Sequence, residues 1–113
     1  MSKYNNVKCA DMSGFIHDSK REAHRANELL LMEKAGAISE LHQQVPFALI
    51  PAQKLSNGKT ERECVYVADF TYWEKGRYIV EDVKGCKKGI AYQLFSIKRK
   101  LMKQVHNIEI REV

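Results

Sequence analysis

Cysteine is scarce in this chain, and what there is does not group. Only Cys9, Cys64 and Cys86 occur among 113 residues, with no C-x-x-C. An odd, widely spaced set argues against a disulfide framework or a zinc site and fits a reducing compartment. Proline is limited to Pro46 and Pro51, so long Pro-rich linkers are excluded. No apolar run reaches membrane-spanning length, and the N-terminus has no signal-peptide pattern. A soluble, cytoplasmic protein with no membrane role is expected. Internal repeats and low-complexity segments are absent too. The chain length suits one domain, residues 1–113, large enough to bury a core without staples.

Acidic residues are missing from one long stretch. None lies between Asp82 and Glu109, whereas Lys84, Lys87, Lys88, Lys98, Arg99, Lys100 and Lys103 all do, within a chain of net charge +5. A one-sign run of this kind sets up a positive field that attracts polyanions. A solvated helix face is the plainer reading of the same run.

What is present centres on Tyr66 to Lys84. Val65 to Thr71 is rich in β-branched and aromatic residues, and Tyr78-Ile79-Val80 resumes that composition after Glu74-Lys75-Gly76-Arg77. If Lys75-Gly76 is a two-residue hairpin turn, Glu74 faces Arg77 and Asp69 comes opposite Asp82. A four-residue loop keeps that register; a three- or five-residue loop shifts it by one. Opposed side chains have Cβ atoms roughly 4.5–5.5 Å apart, where like charges are destabilising. A divalent cation such as Mg²⁺, which takes carboxylate oxygens, explains such a pair. Lys84 leaves the same face two residues beyond Asp82. A plain salt bridge between Asp69 and Lys84 is the bland alternative. Glu81 alternates to the other face and takes no metal role.

Around this hairpin the elements read in order. Residues 1–17 are polar and read as a loosely ordered arm, in which Lys3, Tyr4, Asn5 and Asn6 could touch a phosphate backbone and Gly14 marks a turn. Ser19 to Ala35 reads as a helix stopped by Gly36, with Ala23, Ala26, Leu30 and, on the flank, Leu29 as its apolar stripe. Ser19-x-x-Glu22 is a capping-box pattern, yet Glu22 shares a face with Ala26 and Leu29, so its carboxylate has two competing roles. Leu41 to Ile50 reads as an edge strand or bulged strand, because Pro46 interrupts it while Val45, Phe47 and Leu49 alternate. Ser56-Asn57-Gly58-Lys59 is a strong turn signal, and Arg62 to Tyr72 is the next strand. Tyr72 and Trp73 read as core or turn packing, with base stacking as the other option. Gly85 to Gly89 is a basic loop. Ile90 to Lys103 reads as an amphipathic helix whose stripe is Ile90, Leu94, Ile97 and Leu101, widened by Ala91 and Phe95, with Tyr92, Gln93 and Ser96 towards the polar side. Asn107 to Val113 closes as a strand, set parallel to its neighbour by a right-handed crossover. The order is αβββαβ, an α/β (α+β) domain with a mixed sheet and two helices. His17, His24, His42 and His106 have no ligand spacing and read as ordinary surface or partly buried residues.

Four stretches then carry a resemblance: Asp18-Ser19-Lys20-Arg21-Glu22-Ala23, Leu41-x-x-Gln44-x-x-Phe47-x-Leu49, Tyr66-Val67-Ala68-Asp69-Phe70 and Val80-Glu81-Asp82-Val83-Lys84-Gly85. In this order and spacing they resemble the D…(D/E)-x-K core of the PD-(D/E)xK nuclease superfamily. More narrowly, they are similar to a family of short phage-encoded proteins of uncharacterised function placed there. Ala68 stands where the superfamily name has proline.

The resemblance implies a restriction-endonuclease-like core and Mg²⁺-dependent hydrolysis of DNA phosphodiesters, with Mn²⁺ as a substitute. Branched or recombination intermediates and a homodimer are options within that class. It implies Asp69, Asp82, the Val83 carbonyl and Glu22 as metal ligands, and Lys84 as the group that positions water or contacts the scissile phosphate. Gln44 matches a recurring glutamine, for which a structural hydrogen bond is as good a reading as a site role. Lys87, Lys88, Lys98, Arg99, Lys100 and Lys103 are the expected DNA-binding cations. A DNA-binding module without turnover is the competing expectation.

Overall fold

The computed structural model describes residues 7–113. Lys3, Tyr4, Asn5 and Asn6 lie outside the described residues. Strands β1 (Cys9–Ala10) and β2 (Ile16–His17) form an antiparallel hairpin ahead of helix α1 (Lys20–Lys34). Strand β3 (Ser39–Ile50) follows, then a second small hairpin of β4 (Gln53–Lys54) and β5 (Thr60–Glu61), which the sequence reading passed over as a turn. Strands β6 (Cys64–Glu74) and β7 (Arg77–Asp82), helix α2 (Ile90–His106) and β8 (Arg111–Glu112) complete the chain.

Without the two small hairpins the order is αβββαβ. The main sheet runs β3-β6-β7-β8, antiparallel except for the parallel β7–β8 pair. This mixed α+β arrangement of four strands and two helices is the one expected, consistent with a restriction-endonuclease-like core. Pro46 sits on β3, an edge strand, where its missing N–H costs least.

The β6–β7 hairpin turns at Lys75 and Gly76, with φ of 51° and 76°. Two successive positive φ values give the twist that matches a two-residue hairpin. Glu74 pairs with Arg77, and the ladder runs out to Phe70 opposite Glu81. One step further sets Asp69 across from Asp82, the register read from the turn.

Each helix sits on its own cluster. Ala26 and Leu29 of α1 bury against Ile38, Phe70 and Tyr72, while Phe95 and Met102 of α2 bury with Tyr66, Ala68, Val80 and Ile110. Ser19 caps α1, its Oγ accepting from the Glu22 amide at 3.2 Å. Gly36, at φ 81°, ends the helix in the left-handed region that a side chain disfavours. Leu29, placed on the flank by the sequence reading, is fully buried, and Leu30 is half-buried.

Two expectations are corrected. The segment ahead of α1 is no loose arm from Cys9 onward: it is a hairpin that buries His17 at 1 % exposure. The reason is polar, since His17 finds carboxylates on both sides, and composition alone cannot show that. The second correction concerns α2. The stripe of Ile90, Leu94 and Ile97 faces outward, with Ala91 exposed and Leu101 half-buried, and only Phe95 of the predicted set is buried. Tyr92, placed on the polar side, packs inward beside Phe95 and Met102. This second stripe can face the sheet because Glu112 on β8 accepts from the Tyr92 hydroxyl at 2.7 Å and from Arg99 at 3.1 Å. Buried polar tips need such partners.

Candidate functional site

The cleft is built from three elements. Glu22 comes from the first turn of α1, Asp69 from β6, and Asp82 with Val83 and Lys84 from the end of β7. All five line one open cleft of about 1180 Å³, continued by the Gly85–Gly89 loop and the first two turns of α2. Drug-sized pockets run to roughly 1,000 Å³, so the cleft has the volume of a large ligand site.

Asp82 is held from both sides. Its Oδ1 lies 2.9 Å from Lys84 Nζ, and its Oδ2 accepts from the Tyr66 hydroxyl at 2.6 Å. Lys84 Nζ also lies 3.7 Å from the Phe95 ring centroid, a cation–π contact that fixes the ammonium at the mouth of the cleft. The plain Asp69–Lys84 pair is not formed; Lys84 pairs with Asp82. The Val83 amide donates to Asp69 Oδ2 at 2.7 Å. Glu22 does not reach back to the Ser19 amide. Its Oε2 accepts from the Asp18 amide at 3.3 Å and lies 3.2 Å from His17 Nδ1, and Gln44 Nε2 comes to 3.5 Å from Oε1. The last contact is at the limit of a hydrogen bond. Gln44 holds φ at 55°, an uncommon value for a residue with a side chain, of the kind that clusters at functional sites.

The carboxyls crowd one another. Burial, and then hydrogen-bond contact with Glu22, pushes the Asp69 carboxyl up to about 7, against smaller opposing effects of the Val83 amide and Lys84. Burial and the Asp69 charge raise Asp82 above its ordinary value, although Tyr66 and Lys84 pull the other way. Carboxyls that resist ionising beside one another are a signature of functional sites. A hard cation relieves that repulsion, and the oxygen-only donor set of Glu22, Asp69 and Asp82 suits one. Among the described residues, however, no three His, Cys, Asp or Glu side chains stand ready at metal-holding distance. Tyr66 and Lys84 each contact one Asp82 oxygen, and each oxygen keeps a further lone pair, so a cation would share Asp82 with them.

His17 is the residue that the sequence reading missed. Its Nε2 lies 2.7 Å from Asp11 Oδ2, and its Nδ1 faces Glu22. Asp11 is itself anchored. Burial would raise its carboxyl, but hydrogen bonds from Ser13, His17 and Gln43 hold it well below the usual range. The chain Asp11–His17–Glu22 thus aims the Glu22 carboxylate into the cleft from behind. Gln43 donates to the same Asp11 oxygen at 3.2 Å, leaving its own buried Oε1 without a partner.

The expected cations separate into three groups. Lys88 and Lys98 line the cleft, and Lys98 Nζ donates to the Val65 carbonyl at 3.0 Å. Lys87 and Lys100 are exposed. Arg99 pairs with Glu112, and Lys103 with Glu109 across an exposed 3.2 Å contact, the latter worth little in water. Glu81 faces away from the cleft, fully buried, and accepts from Arg25 Nε at 2.6 Å, from Arg25 Nη2 at 3.0 Å and from the Tyr72 hydroxyl. Trp73 packs on Tyr78 beside the turn, with ring centroids 5.2 Å apart.

A family model matches residues 1–112 of the chain. The chain belongs to the DUF1064 family, proteins of unknown function. No curated protein and no solved structure shows significant similarity to it. In this DUF1064 protein, Glu22, Asp69, Asp82 and Lys84 therefore have to be read from their own geometry. None of its helices is long and apolar enough to cross a membrane, among the described residues.

Proposed function

We propose that the cleft hydrolyses phosphodiester bonds in DNA with the help of a divalent cation, in the manner of the PD-(D/E)xK nucleases. One observation carries the reading: acidic groups from α1, β6 and β7 meet beside a fixed lysine, with the Asp69 carboxyl pushed up to about 7. Asp69, Asp82 and Glu22, with the Val83 carbonyl, are the groups that would hold Mg²⁺ or Mn²⁺. When bound, such a cation lowers the pKa of a water and offsets charge gathering on the phosphate. Lys84, held between Asp82 and the Phe95 ring, presents its remaining N–H donors to a phosphate oxygen, for which a compact ammonium is suited. Lys88 and Lys98 extend the positive lining along the incoming strand.

The test is a panel of duplex, flap and four-way junction DNA incubated with Mg²⁺ or Mn²⁺, beside Asp82→Asn and Lys84→Ala. Cleavage by the wild type that both substitutions abolish is the expected result. Binding should weaken with salt by a log–log slope of roughly −0.9 per phosphate contacted; a flat response removes DNA as the ligand. A second reading rests on the Asp82–Lys84 pair at 2.9 Å, which already offsets the Asp82 charge: a DNA-binding module that uses the same cations without turnover. Retained binding with no cleavage on any substrate selects it.

His17 gives an independent check on the cation. Residues that orient a metal ligand typically contribute 10–100-fold to metal affinity. His17→Gln cannot span Asp11 and Glu22, so calorimetry should show Mn²⁺ binding weakened by about that factor. Unchanged affinity would leave His17 a packing residue only.

A further inference from the structure

The first hairpin does more than place His17. A second groove, of about 500 Å³, lies between β1 and α1, lined by Cys9 and Ala10 on the strand and by Lys20, Arg21, His24 and Asn27 on the helix. No acidic residue lines it; Asp18 and Glu22, the acids on either side of Lys20 in sequence, line the cleft instead. Lys20, Arg21 and His24 are exposed. Neither Lys20 nor Arg21 pairs with an acid among the described residues. Asn27 is held in place, since its Oδ1 accepts from the Met12 amide at 2.7 Å, and its NH2 group is the donor that remains. All four helix residues thus carry donors, and two carry fixed positive charge.

The groove joins the cleft at Arg21, which lines both. A strand crossing the cleft leaves it in two directions. Towards α2 it meets Lys88 and Lys98, whereas Arg99 and Lys103 are already held by acids. Towards α1 it meets Arg21 and then this groove. Lys20, His24 and Asn27 stand at steps of four and three residues, so they share one face of the helix, a row about 10 Å long. Duplex DNA presents a phosphate on each strand for roughly every 3.4 Å of its axis, so the row spans two or three of them. We infer that this groove holds the phosphodiester backbone of the DNA flanking the scissile bond on the α1 side. Lys20 and Arg21 neutralise phosphates, and His24 and Asn27 donate to their oxygens. Such contacts position a polymer without reading its bases. The groove therefore sets how the strand lies across the cleft, not which sequence is chosen. This inference rests on the reading of the cleft as a DNA site.

Salt titrations of the whole chain on a fluorescent duplex, without added Mg²⁺ or Mn²⁺ so that binding is read apart from cleavage, test it. Lys20→Gln and Arg21→Gln should each make the log–log slope shallower by about 0.9, and the two together by about 1.8. Lys34→Gln, exposed at the other end of α1, removes the same charge and should leave the slope as it is. Salt-dependent binding by the wild type with an unaltered slope in the Lys20 and Arg21 variants overturns this inference and spares the DNA reading. An equal change from Lys34→Gln overturns it too, because the slope then follows net charge and no groove is needed. Wild-type binding that ignores salt removes the DNA reading, and this inference with it. Duplex length gives a second measurement. Lys20→Gln combined with His24→Gln, neither of which lines the cleft, should stop gaining affinity at a shorter duplex than the wild type does. The same plateau in both proteins places the flanking backbone elsewhere. All these positions are exposed, and an unchanged circular dichroism spectrum confirms that each variant is folded.

Discussion

Asp69→Asn is expected to make the protein more stable at pH 8 and unable to respond to a cation. Burial and the neighbouring Glu22 raise the Asp69 carboxyl from 3.8 to about 7. The folded state therefore keeps the proton across an interval in which the unfolded chain has lost it. Its stabilising contribution is complete below pH 3.8 and is lost as pH rises through about 7. At pH 8 the ionised carboxylate is a burden on the fold. Asparagine removes that charge and keeps an oxygen for the Val83 amide, a bond of 2.7 Å in the native chain. The gain should be on the order of 2 kcal/mol at pH 8, allowing for screening at the open side of the cleft. Thermal melting should rise by about 8 °C. Saturating Mg²⁺ should stabilise the wild type, by about 2.7 kcal/mol at a hundredfold excess over its dissociation constant, and leave the variant unmoved. A variant that melts lower than the wild type at pH 8, or shifts equally with Mg²⁺, defeats the account of the cleft.

Arg25→Ala should be among the most damaging single changes outside the cleft. Glu81 is fully buried in the sheet, and its charge is met by Nε and Nη2 of Arg25 and by the Tyr72 hydroxyl. Burial and then that carboxylate push the Tyr72 hydroxyl up to about 12, which keeps it a donor at any ordinary pH. Removing the guanidinium leaves a carboxylate in the core with one neutral partner, a loss of about 3–5 kcal/mol. Total stabilities of such domains are roughly 5–15 kcal/mol, so the variant should sit near unfolding at room temperature. Arg25→Met combined with Glu81→Leu should recover most of the loss, because an apolar pair avoids stranding a charge; Tyr72 still contacts Arg111 at 3.2 Å. Chemical denaturation of the two variants beside the wild type measures this, and a double variant as weak as the single one would count against it. The pair also has a consequence for the site. Arg25 lies three residues after Glu22 on α1, and Glu81 precedes Asp82 on β7. The bond between them sets the helix that carries one acid against the strand that carries another, so the double variant, though folded, should lose cation affinity.

Local rules reached far into this chain. The two-residue turn at Lys75-Gly76 needs nothing beyond its own residues, and counting outward from it places Asp69 across from Asp82. Ser19 and Gly36 bracket α1 for equally local reasons, a side-chain acceptor at one end and a left-handed φ at the other. Alternation along β3 and β6 showed which side chains face the core, because strand period is a property of the backbone.

The rest was decided by groups distant in the chain. Periodicity finds apolar stripes on a helix but cannot choose between two of them. Ile90, Leu94 and Ile97 look like the buried face of α2 until Glu112, on the last strand, satisfies Tyr92 and Arg99 and draws the other face inward. His17 reads as one histidine among four until the first hairpin sets it between Asp11 and Glu22. Sequence alone settled the two helices and the four strands of the main sheet, their order and the register of the central hairpin, since these follow from short-range sterics and hydrogen bonding; the two small hairpins it did not show. Tertiary structure alone settled which polar groups are buried, because a buried charge is tolerated only where a partner, far away in the chain, comes to meet it.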